Sequence, residues 1–125
     1  MLALTLKQHL STSIMFLGID LGTSGVKVII LDEQDQLLAQ ASRSLSVSRP
    51  APLFSEQNPT DWWLATCSAI EELKNTHPAL LKLVKAVGLS GQMHGATLLD
   101  KNNNIIRPAI LWNDGRSAAQ CVELE

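Results

Sequence analysis

The segment FLGIDLGTSGVKVIIL, residues 16–31, constrains the fold more than any other part of the sequence. Two short apolar runs flank the turn at residues 22–25, and such runs joined by a glycine-containing turn are typical of a β-hairpin. A polar turn follows, and the alternating pattern of residues 37–47 predicts a third antiparallel strand. The first part of the chain is therefore predicted to form a three-stranded meander.

The next part of the sequence predicts a surface loop followed by a helix. Residues 49–59 contain three prolines and show no helical period, as is typical of a loop. Asn58 is a favourable N-cap, Pro59 suits the first helical position, and the helix is predicted to stop at residues 74–75, before Pro78. Because a helix bridges the meander to the next strand, we expect that strand to lie parallel to a neighbour in a mixed α/β sheet.

Shorter elements are predicted over the rest of the chain. They are a connector and strand in residues 80–89, a strand in residues 96–99, a turn at residues 100–104, an extended segment at residues 105–112 and the start of a helix in residues 117–125. The length of 125 residues fits a single domain. Residues 1–14 precede the first strand and are predicted to be an extension that the fold does not need.

Composition argues against several classes of partner. Ten basic and twelve acidic side chains give a formal charge of −2, without a basic run that could neutralise a series of phosphates, so no nucleic acid partner is expected. No apolar run approaches the roughly 20 residues that cross a bilayer, so no membrane partner is expected. Cys67 and Cys121 lie far apart and outside any metal-binding spacing, which favours a reduced, cytoplasmic protein.

The turn between the first two strands carries residues that suit a phosphate. Gly22, Thr23 and Ser24 allow backbone N–H groups to converge on one point, and such a cluster of donors binds phosphate oxygens. Asp20 would repel a bare phosphate, so its position beside the turn favours a divalent cation between them. The alternative is an ordinary hairpin in which the glycines only provide positive φ.

The segment SGQMHG, residues 90–95, follows an apolar run and is predicted to lie where a strand ends. His94 can donate or accept a hydrogen bond and Met93 offers an apolar wall, so the pair could line a pocket for a polyol. The alternative is a loop histidine that is bonded to a nearby carbonyl, next to a methionine that fills the core.

The segment RPAILWNDGR, residues 107–116, ends an apolar run with an aromatic ring and several polar groups. Trp112 followed by Asn113, Asp114 and Arg116 is a plausible sugar-binding set, because C–H faces of sugars pack on rings while hydroxyls pair with polar groups. The alternative is a buried Trp112, a turn, and a helix start at which Asp114 acts as a cap.

Together these segments resemble a known family. GIDLGTSGVKV resembles the first phosphate-binding hairpin of the sugar-kinase, actin and heat-shock ATPase superfamily. With SEQ and P-x-x-WW, then GQMHGATLLD and RPAILWNDGR, the sequence resembles the N-terminal part of the FGGY carbohydrate kinase family over residues 15–125. The resemblance implies an α/β fold of the ribonuclease-H-like (actin-like ATPase) type, a mixed sheet with helices that forms the first part of the N-terminal kinase domain.

The resemblance also implies a reaction. FGGY kinases transfer the γ-phosphoryl group of ATP, with Mg²⁺, to a sugar hydroxyl, and the QMHG and ILWNDGR phrases favour D-xylulose as the sugar and D-xylulose 5-phosphate as the product. Glycerol, ribulose or gluconate is the alternative substrate within the family. A non-catalytic, actin-like nucleotide-binding module and a metal-dependent nuclease are the alternatives outside it.

The family roles carry over to individual residues of this sequence. Asp20 matches the aspartate that is associated with the metal and takes part in catalysis. At the nucleotide end the matching residues are Gly22, Thr23, Ser24 and, near the transferred group, Lys27. At the sugar end the matching residues are Met93, His94 and Trp112.

The resemblance further implies that this chain is a partial domain. The aspartate that accepts the sugar proton and the adenosine pocket belong to a later part of the family sequence, and no residue here matches them. The chain alone is therefore predicted to be inactive. Apolar residues on both faces of the second strand predict that the sheet needs further cover, which a homo-oligomer could supply.

Overall fold

A computed structural model describes residues 13–124 as a four-stranded mixed sheet with a long helix on one face. The sheet consists of β1 (Met15–Leu21), β2 (Gly25–Leu31), β3 (Leu37–Ser44) and β5 (Val84–Ser90), in the order β3-β2-β1-β5. A separate small sheet pairs β4 (Glu56–Gln57) with β6 (Ala109–Ile110). The helices are α1 (Pro59–Thr76), α2 (Pro78–Leu81) and α3 (Ala118–Leu124).

The strand register brings the ends of β1 and β5 together. β1 pairs antiparallel with β2, so that Asp20 lies opposite Lys27. β5 runs parallel to β1 after the helical crossover, so that Asp20 also lies beside Ser90 on its other neighbour. The predicted hairpin, meander and parallel return are confirmed. The turn after β1 and the segment after β5 therefore leave the sheet at the same edge.

The core lies between α1 and one face of the sheet. Successive side chains of a strand point to opposite faces, and on β2 the alternate residues Val26, Val28 and Ile30 are at most 1% exposed. α1 covers this face with Ala69 and Leu73, which are equally buried. Apolar burial of this kind is the dominant stabilising term in folding.

The start of α1 follows the predicted capping pattern. The Asn58 side chain accepts a hydrogen bond from the Thr60 N–H at 3.0 Å, which satisfies one of the donors that a helix start leaves unpaired. Pro59 occupies the first helical turn, as predicted. At the other end, α1 runs to Thr76, slightly beyond the predicted stop at residues 74–75.

β5 is the exposed edge of the sheet. Six of its seven residues are exposed, including Val87 and Leu89 at 55% and 80%. The helix does not shield them, because α1 packs on β2 and β3. The sheet thus has one half under a helix and one edge with apolar side chains in solvent.

Regular structure after β5 is sparser than the sequence predicts. The predicted strand at residues 96–99 is wrong, because only isolated bridges, Ala96 to Ile110 and Leu99 to Ile105, join this segment to the rest of the chain. The predicted extended segment at residues 105–112 contains only the two-residue β6.

Other boundaries also differ from the predictions. The predicted loop at residues 49–59 includes β4, and the third strand ends at Ser44, not at residue 47. The predicted extension of residues 1–14 falls mainly in residues 1–12, which, like residue 125, lie outside the described residues. Within residues 13–124, no helix combines the length and the apolar content needed to cross a bilayer.

Candidate functional site

The turn between β1 and β2 is held by backbone contacts. The Gly22 N–H donates to the Gly25 carbonyl oxygen at 2.9 Å. A Cβ atom at Gly25 would lie 2.6 Å from the Arg43 carbonyl oxygen, so the close passage of β3 requires glycine at this position. No described glycine has a positive φ, so the alternative in which the turn glycines provide positive φ is wrong.

Asp20 lies one residue before the end of β1 and has an exposed side chain. Within residues 13–124, its carboxylate forms neither a hydrogen bond nor an ion pair. The side chains of Asp20 and Lys27 project from the same face of the hairpin, because the two residues are directly paired across the strands. The carboxylate is therefore available to a group from outside the chain.

Residues 91–95 form a wall beside this turn, since they follow β5 where it runs alongside β1. Met93 is 71% exposed, so the alternative in which it fills the core is wrong. His94 is exposed and has no hydrogen-bond partner in the described part of the chain, so the alternative of a carbonyl-bonded histidine is wrong as well. Its φ of 59° lies in the left-handed region, where histidine is enriched among non-glycine residues.

Trp112 approaches the same turn from a third segment. Its ring is 64% exposed, so the alternative of a buried Trp112 is wrong. The indole Nε1–H donates to the Thr23 hydroxyl oxygen at 3.2 Å. This contact fixes one edge of the ring on the hairpin and leaves most of the ring accessible.

A hollow of about 520 Å³ lies between these three segments. It is lined by Asp20, Leu21, Gly22, Thr23, Gly91, Gln92, Met93, His94 and Trp112. Small-molecule sites have volumes of about 300–1,000 Å³. This space, called the first hollow below, therefore has the size of a ligand pocket.

A second hollow, of about 350 Å³, adjoins the first. It is lined by Asp20, Gly22, Ser24, Gly25, Val26, Lys27, Ser42, Arg43 and Ser44. Asp20 and Gly22 line both spaces. All the predicted site residues thus line one or both of these hollows, and Asp20 lines both, whereas Thr23, predicted for the nucleotide end, lines the first hollow.

Gln57 connects the segments around the first hollow. Its side chain is buried and its Nε2 group donates to the carbonyl oxygens of Thr23 and Ser46 at 2.7 and 3.2 Å. Its Oε1 atom accepts from Trp62 Nε1 and Gln92 Nε2, both at 3.0 Å. A single amide therefore joins the hairpin turn, the wall and α1.

A cluster of opposite charges includes two residues, Asp114 and Arg116, that follow Trp112 closely in the chain. Arg116 Nη2 is 2.6 Å from Asp114 Oδ2 and 2.7 Å from Glu56 Oε1, and Arg107 Nη2 is 2.6 Å from the same Glu56 oxygen. The Arg116 guanidinium also stacks 3.8 Å above the Phe54 ring. The carboxylates of Asp114 and Glu56 are only 2% and 10% exposed. These four charged residues are called the charge cluster below.

The charge cluster holds the backbone that follows Trp112. The hydrogen bond from Arg116 holds the pKa of Asp114 well below its usual value of 3.8, and the same bond raises the pKa of Arg116. Asp114 also accepts the Ser55 N–H at 2.6 Å. Asp114 and Arg116 are therefore occupied with each other and with the scaffold, and of the suggested sugar-binding set Trp112 and Asn113 remain accessible.

Sequence reasoning did not single out Gln57, Gln92 or Glu56 as parts of this arrangement. Gln57 and Glu56 lie in a proline-rich stretch whose composition indicates a loop. The partners that matter for the site are distant in the sequence, 34 residues for Thr23 and 35 for Gln92 from Gln57, and 51 for Arg107 from Glu56, so no local period could have identified them. The only signal was the position of SEQ directly before the helix cap.

The residues that line the two hollows offer one carboxylate, that of Asp20, to a divalent cation. Within residues 13–124, no group of three or more His, Cys, Asp or Glu side chains could hold a metal ion. Mg²⁺ usually keeps several waters and takes one or two carboxylates together with substrate phosphates. The single Asp20 carboxylate therefore fits Mg²⁺ when the ion arrives with a nucleotide.

Comparison with known proteins decides the family. The sequence profile of the FGGY family of carbohydrate kinases, N-terminal domain, matches residues 15–125. This chain belongs to the FGGY family.

Relatives and solved structures agree with this assignment. The FGGY chain is 58% identical over 111 residues to the xylulose kinase of Escherichia coli strain K12, a match that covers 89% of this chain and 22% of the relative. A crystal structure of a xyloylose kinase from Brucella ovis superposes with a TM-score of 0.85 and 51% identity, covering 88% of this chain and 23% of that one. The crystal structure of the xylulose kinase from Rhodospirillum rubrum superposes with a TM-score of 0.79 and 30% identity, covering 88% of this chain and 22% of that one.

Two consequences follow for this FGGY chain. The predicted α/β fold of the ribonuclease-H-like (actin-like ATPase) type is confirmed, since the structural neighbours are sugar kinases with that fold. The chain spans only 22–23% of the length of these three proteins.

Proposed function

We propose that this chain supplies the N-terminal part of an ATP-dependent kinase that converts D-xylulose to D-xylulose 5-phosphate. The observation that carries the proposal is the position of Asp20, which lines both hollows. Phosphoryl transfer requires a sugar hydroxyl and a nucleotide phosphate to meet beside groups that neutralise charge. The name of the 58% identical relative, a xylulose kinase, supports the choice of sugar.

In this proposal the first hollow binds the ketose. The accessible face of Trp112 packs against C–H groups of the sugar, and Met93 provides an apolar wall. His94 has no partner among the described residues, so its imidazole can bind a sugar hydroxyl without first breaking a hydrogen bond. The hollow thus presents a polar and an apolar surface to the ketose, which has both hydroxyl groups and apolar C–H faces.

The second hollow binds the phosphates of ATP. The Ser24 backbone N–H on the turn faces the phosphate oxygens, and Lys27 adds a positive charge. The Gly22 N–H is bonded to the Gly25 carbonyl oxygen, so Gly22 contributes close backbone approach and not a free donor. Asp20 is the ligand that this chain offers to Mg²⁺, which neutralises phosphate charge when it is bound with the nucleotide. The two substrates thus meet at the Asp20 side of the turn.

The proton of the sugar hydroxyl must pass to a group outside this chain. Asp100 is bonded to the backbone of a turn, and Asp114 is bonded to Arg116, so neither carboxylate is placed to accept it. A general base must lie within hydrogen-bond reach of the proton that it removes. We therefore expect no turnover from the 125-residue chain alone.

The first test compares the chain alone with a chimera. In the chimera this chain replaces the matching N-terminal segment of the Escherichia coli xylulose kinase, to which it is 58% identical. An assay of ADP release with ATP, Mg²⁺ and D-xylulose should show turnover for the chimera and none for the chain. A folded chimera that phosphorylates glycerol, ribulose or gluconate in preference to D-xylulose would show that the sugar is assigned wrongly.

Asp20 is tested by Asp20→Asn in the chimera. Loss of the carboxylate should lower kcat by about 100-fold, the size of effect seen when one charge-stabilising group is removed from an active site. Asp35→Asn is the matched control, because Asp35 is exposed in the β2–β3 turn at a φ of 59°, which asparagine also tolerates. Equal activity of the two variants would remove the main support for the proposed site.

Two further parts of the proposal concern the environment of the chain. A cytoplasmic location is supported by Cys67 and Cys121, which are both unpaired thiols. Self-association is supported by the exposed apolar side chains of Val87 and Leu89 on β5. Sedimentation that shows only monomer across micromolar concentrations would contradict the second of these.

A further inference from the structure

We propose that Gln57 is a positioning residue that fixes the hairpin turn of the nucleotide hollow against the wall of the sugar hollow. This inference rests on the proposed function. Gln57 lines neither hollow, so it would act through the residues that it holds.

The Gln57 amide is fully used, which makes its orientation unique. Both lone-pair directions of Oε1 accept N–H groups, from Trp62 and Gln92, and the Nε2 group donates to the carbonyl oxygens of Thr23 and Ser46. A rotation of the amide by half a turn would set carbonyl oxygen against carbonyl oxygen and N–H against N–H. The side chain is 3% exposed, so water could not replace the lost partners.

The partners of Gln57 come from the elements whose spacing matters for phosphoryl transfer. Thr23 belongs to the turn that faces the phosphates, and Gln92 directly precedes Met93 and His94 in the wall. Trp62 and Ser46 belong to the scaffold on either side. The Gln57 amide therefore ties the two ligand-facing segments to one fixed point.

The β1–β5 ladder ends at Asp20 and Ser90, and beyond it the side-chain link that remains between the turn and the wall without Gln57 is weaker. The Thr23 hydroxyl reaches Gln92 Oε1 at 3.4 Å and accepts from Trp112 Nε1 at 3.2 Å. Both distances lie at or beyond the long end of the normal hydrogen-bond range, whereas the bond from Gln57 to the Thr23 carbonyl is 2.7 Å. Loss of Gln57 should therefore let the turn and the wall move relative to each other.

The kinetic test uses Gln57→Met in the chimera, because methionine has a similar length and no amide. A displacement of about 1 Å between reacting groups can cost about 100-fold in rate, so kcat should fall by roughly tenfold to 100-fold. The KM values for D-xylulose and ATP should change by less than about threefold, because each half-site keeps its own contacts. A kcat within twofold of the unsubstituted chimera would show that Gln57 only stabilises the fold.

Leu73→Ala is the matched control for stability. Leu73 is a residue of α1 that is buried in the core and lines neither hollow, so this variant should lower Tm and leave kcat and both KM values unchanged. Assays are run at a temperature where both variants are folded by circular dichroism. A parallel loss of kcat in Leu73→Ala would mean that general destabilisation accounts for the effect of Gln57→Met.

Gln57→Glu provides a second kinetic readout through its pH profile. The introduced carboxylate would face the carbonyl oxygens of Thr23 and Ser46, whereas its protonated form can donate to one of them. The ratio of kcat for Gln57→Glu to kcat for the unsubstituted chimera should therefore rise as the pH falls. A ratio that does not depend on pH would contradict the role of the amide donor.

A readout that does not need turnover keeps this inference separate from the proposed function. In the 125-residue chain, Gln57→Met should speed backbone hydrogen exchange at residues 22–25 and 91–95 together, and leave β2 protected. Leu73→Ala should instead speed exchange in β2 and α1. If the unsubstituted chimera is inactive, the proposed function fails, yet coordinated exchange at the two segments would still support the link. Unchanged exchange at both segments would overturn the link itself.

Discussion

The half of the sheet under α1 and the loops around Trp112 are held together in different ways. Between α1 and the sheet the most buried side chains are apolar, with Val28 and Ile30 of β2 and Leu73 of α1 at most 1% exposed. Around Trp112 the buried residues include polar ones beside the apolar Ala109 and Leu111: as whole residues Glu56 and Gln57 are 8% and 3% exposed, and each is hydrogen-bonded to partners from other segments. The half of the sheet under α1 is called the packed region below, and the loops around Trp112, with Glu56 and Gln57, are called the bonded region.

This difference determines which region can hold a reactive geometry. Apolar burial is non-directional and roughly proportional to area, so it stabilises the layer without specifying the position of single atoms. Hydrogen bonds and ion pairs weaken steeply when distance or angle changes, so they fix particular atoms. The predicted site residues stand at the bonded end of the molecule, where directional contacts can set their spacing.

The largest effect on stability should come from the packed region. Leu73→Ala removes a fully buried side chain and should lower the free energy of unfolding by about 2–5 kcal/mol. Denaturant titration of the chain measures the change. Leu64→Ala on the same helix is the matched control, because Leu64 is 59% exposed and the same substitution there should change stability by less than about 0.5 kcal/mol. Similar losses in both would mean that α1 is not packed as described.

A smaller loss is expected from the bonded region. Asp114→Asn removes the charge that Arg116 pairs with, yet the introduced amide can still accept the Ser55 N–H. Because Glu56 remains as a partner for Arg116, Tm should fall by less than in Leu73→Ala. Asp35→Asn, an exposed acid outside the charge cluster, should leave Tm unchanged.

Asp114→Asn also distinguishes the two regions through the pH dependence of stability. The pKa of Asp114 lies below its usual value of 3.8 in the folded chain, so its contribution is fully present above that value and is lost as the pH falls toward the folded pKa. The stability difference between the chain and Asp114→Asn should therefore narrow from about pH 5 to about pH 2. The stability difference between the chain and Leu73→Ala should not narrow in this pH range. A constant Asp114 difference over that range would contradict the ion pair.

The smallest effect is expected where the two regions meet. Asn58 directly follows Gln57 and caps α1, so Asn58→Ala should cost about 1 kcal/mol. Asn58→Ser keeps an acceptor for the helix N–H groups and should cost much less. Thermal melts of the two variants measure the difference, and identical melts would show that the cap does not contribute.

Predictions from the sequence succeed where the relevant contacts are local. The hairpin of residues 16–31 and the cap at Asn58 depend on neighbours a few residues away, and both are confirmed. The FGGY resemblance also succeeded, because phrases such as GQMHG and ILWNDGR are specific over short stretches. Apolar residues stand on both faces of β2 in the sequence, so the local pattern predicted the strand but not which of its faces α1 covers.

The bonded region could not be predicted in this way. The pairing of β4 with β6 joins two segments of two residues each, too short to carry a period. The bond between Arg116 and Glu56 spans 60 residues, and that between Gln92 and Gln57 spans 35. The predicted strand at residues 96–99 is wrong because these apolar residues form isolated bridges and not a continuous ladder.

The left-handed backbone at His94 has a consequence for mutagenesis of this position. At a φ of 59°, most side chains meet a steric cost of roughly 1–2 kcal/mol, and β-branched residues suffer most. Asparagine tolerates the same conformation, so His94→Asn removes the imidazole with little change to the main chain. Most other replacements at residue 94 would combine backbone strain with loss of the imidazole. His94→Asn isolates the effect of losing the imidazole.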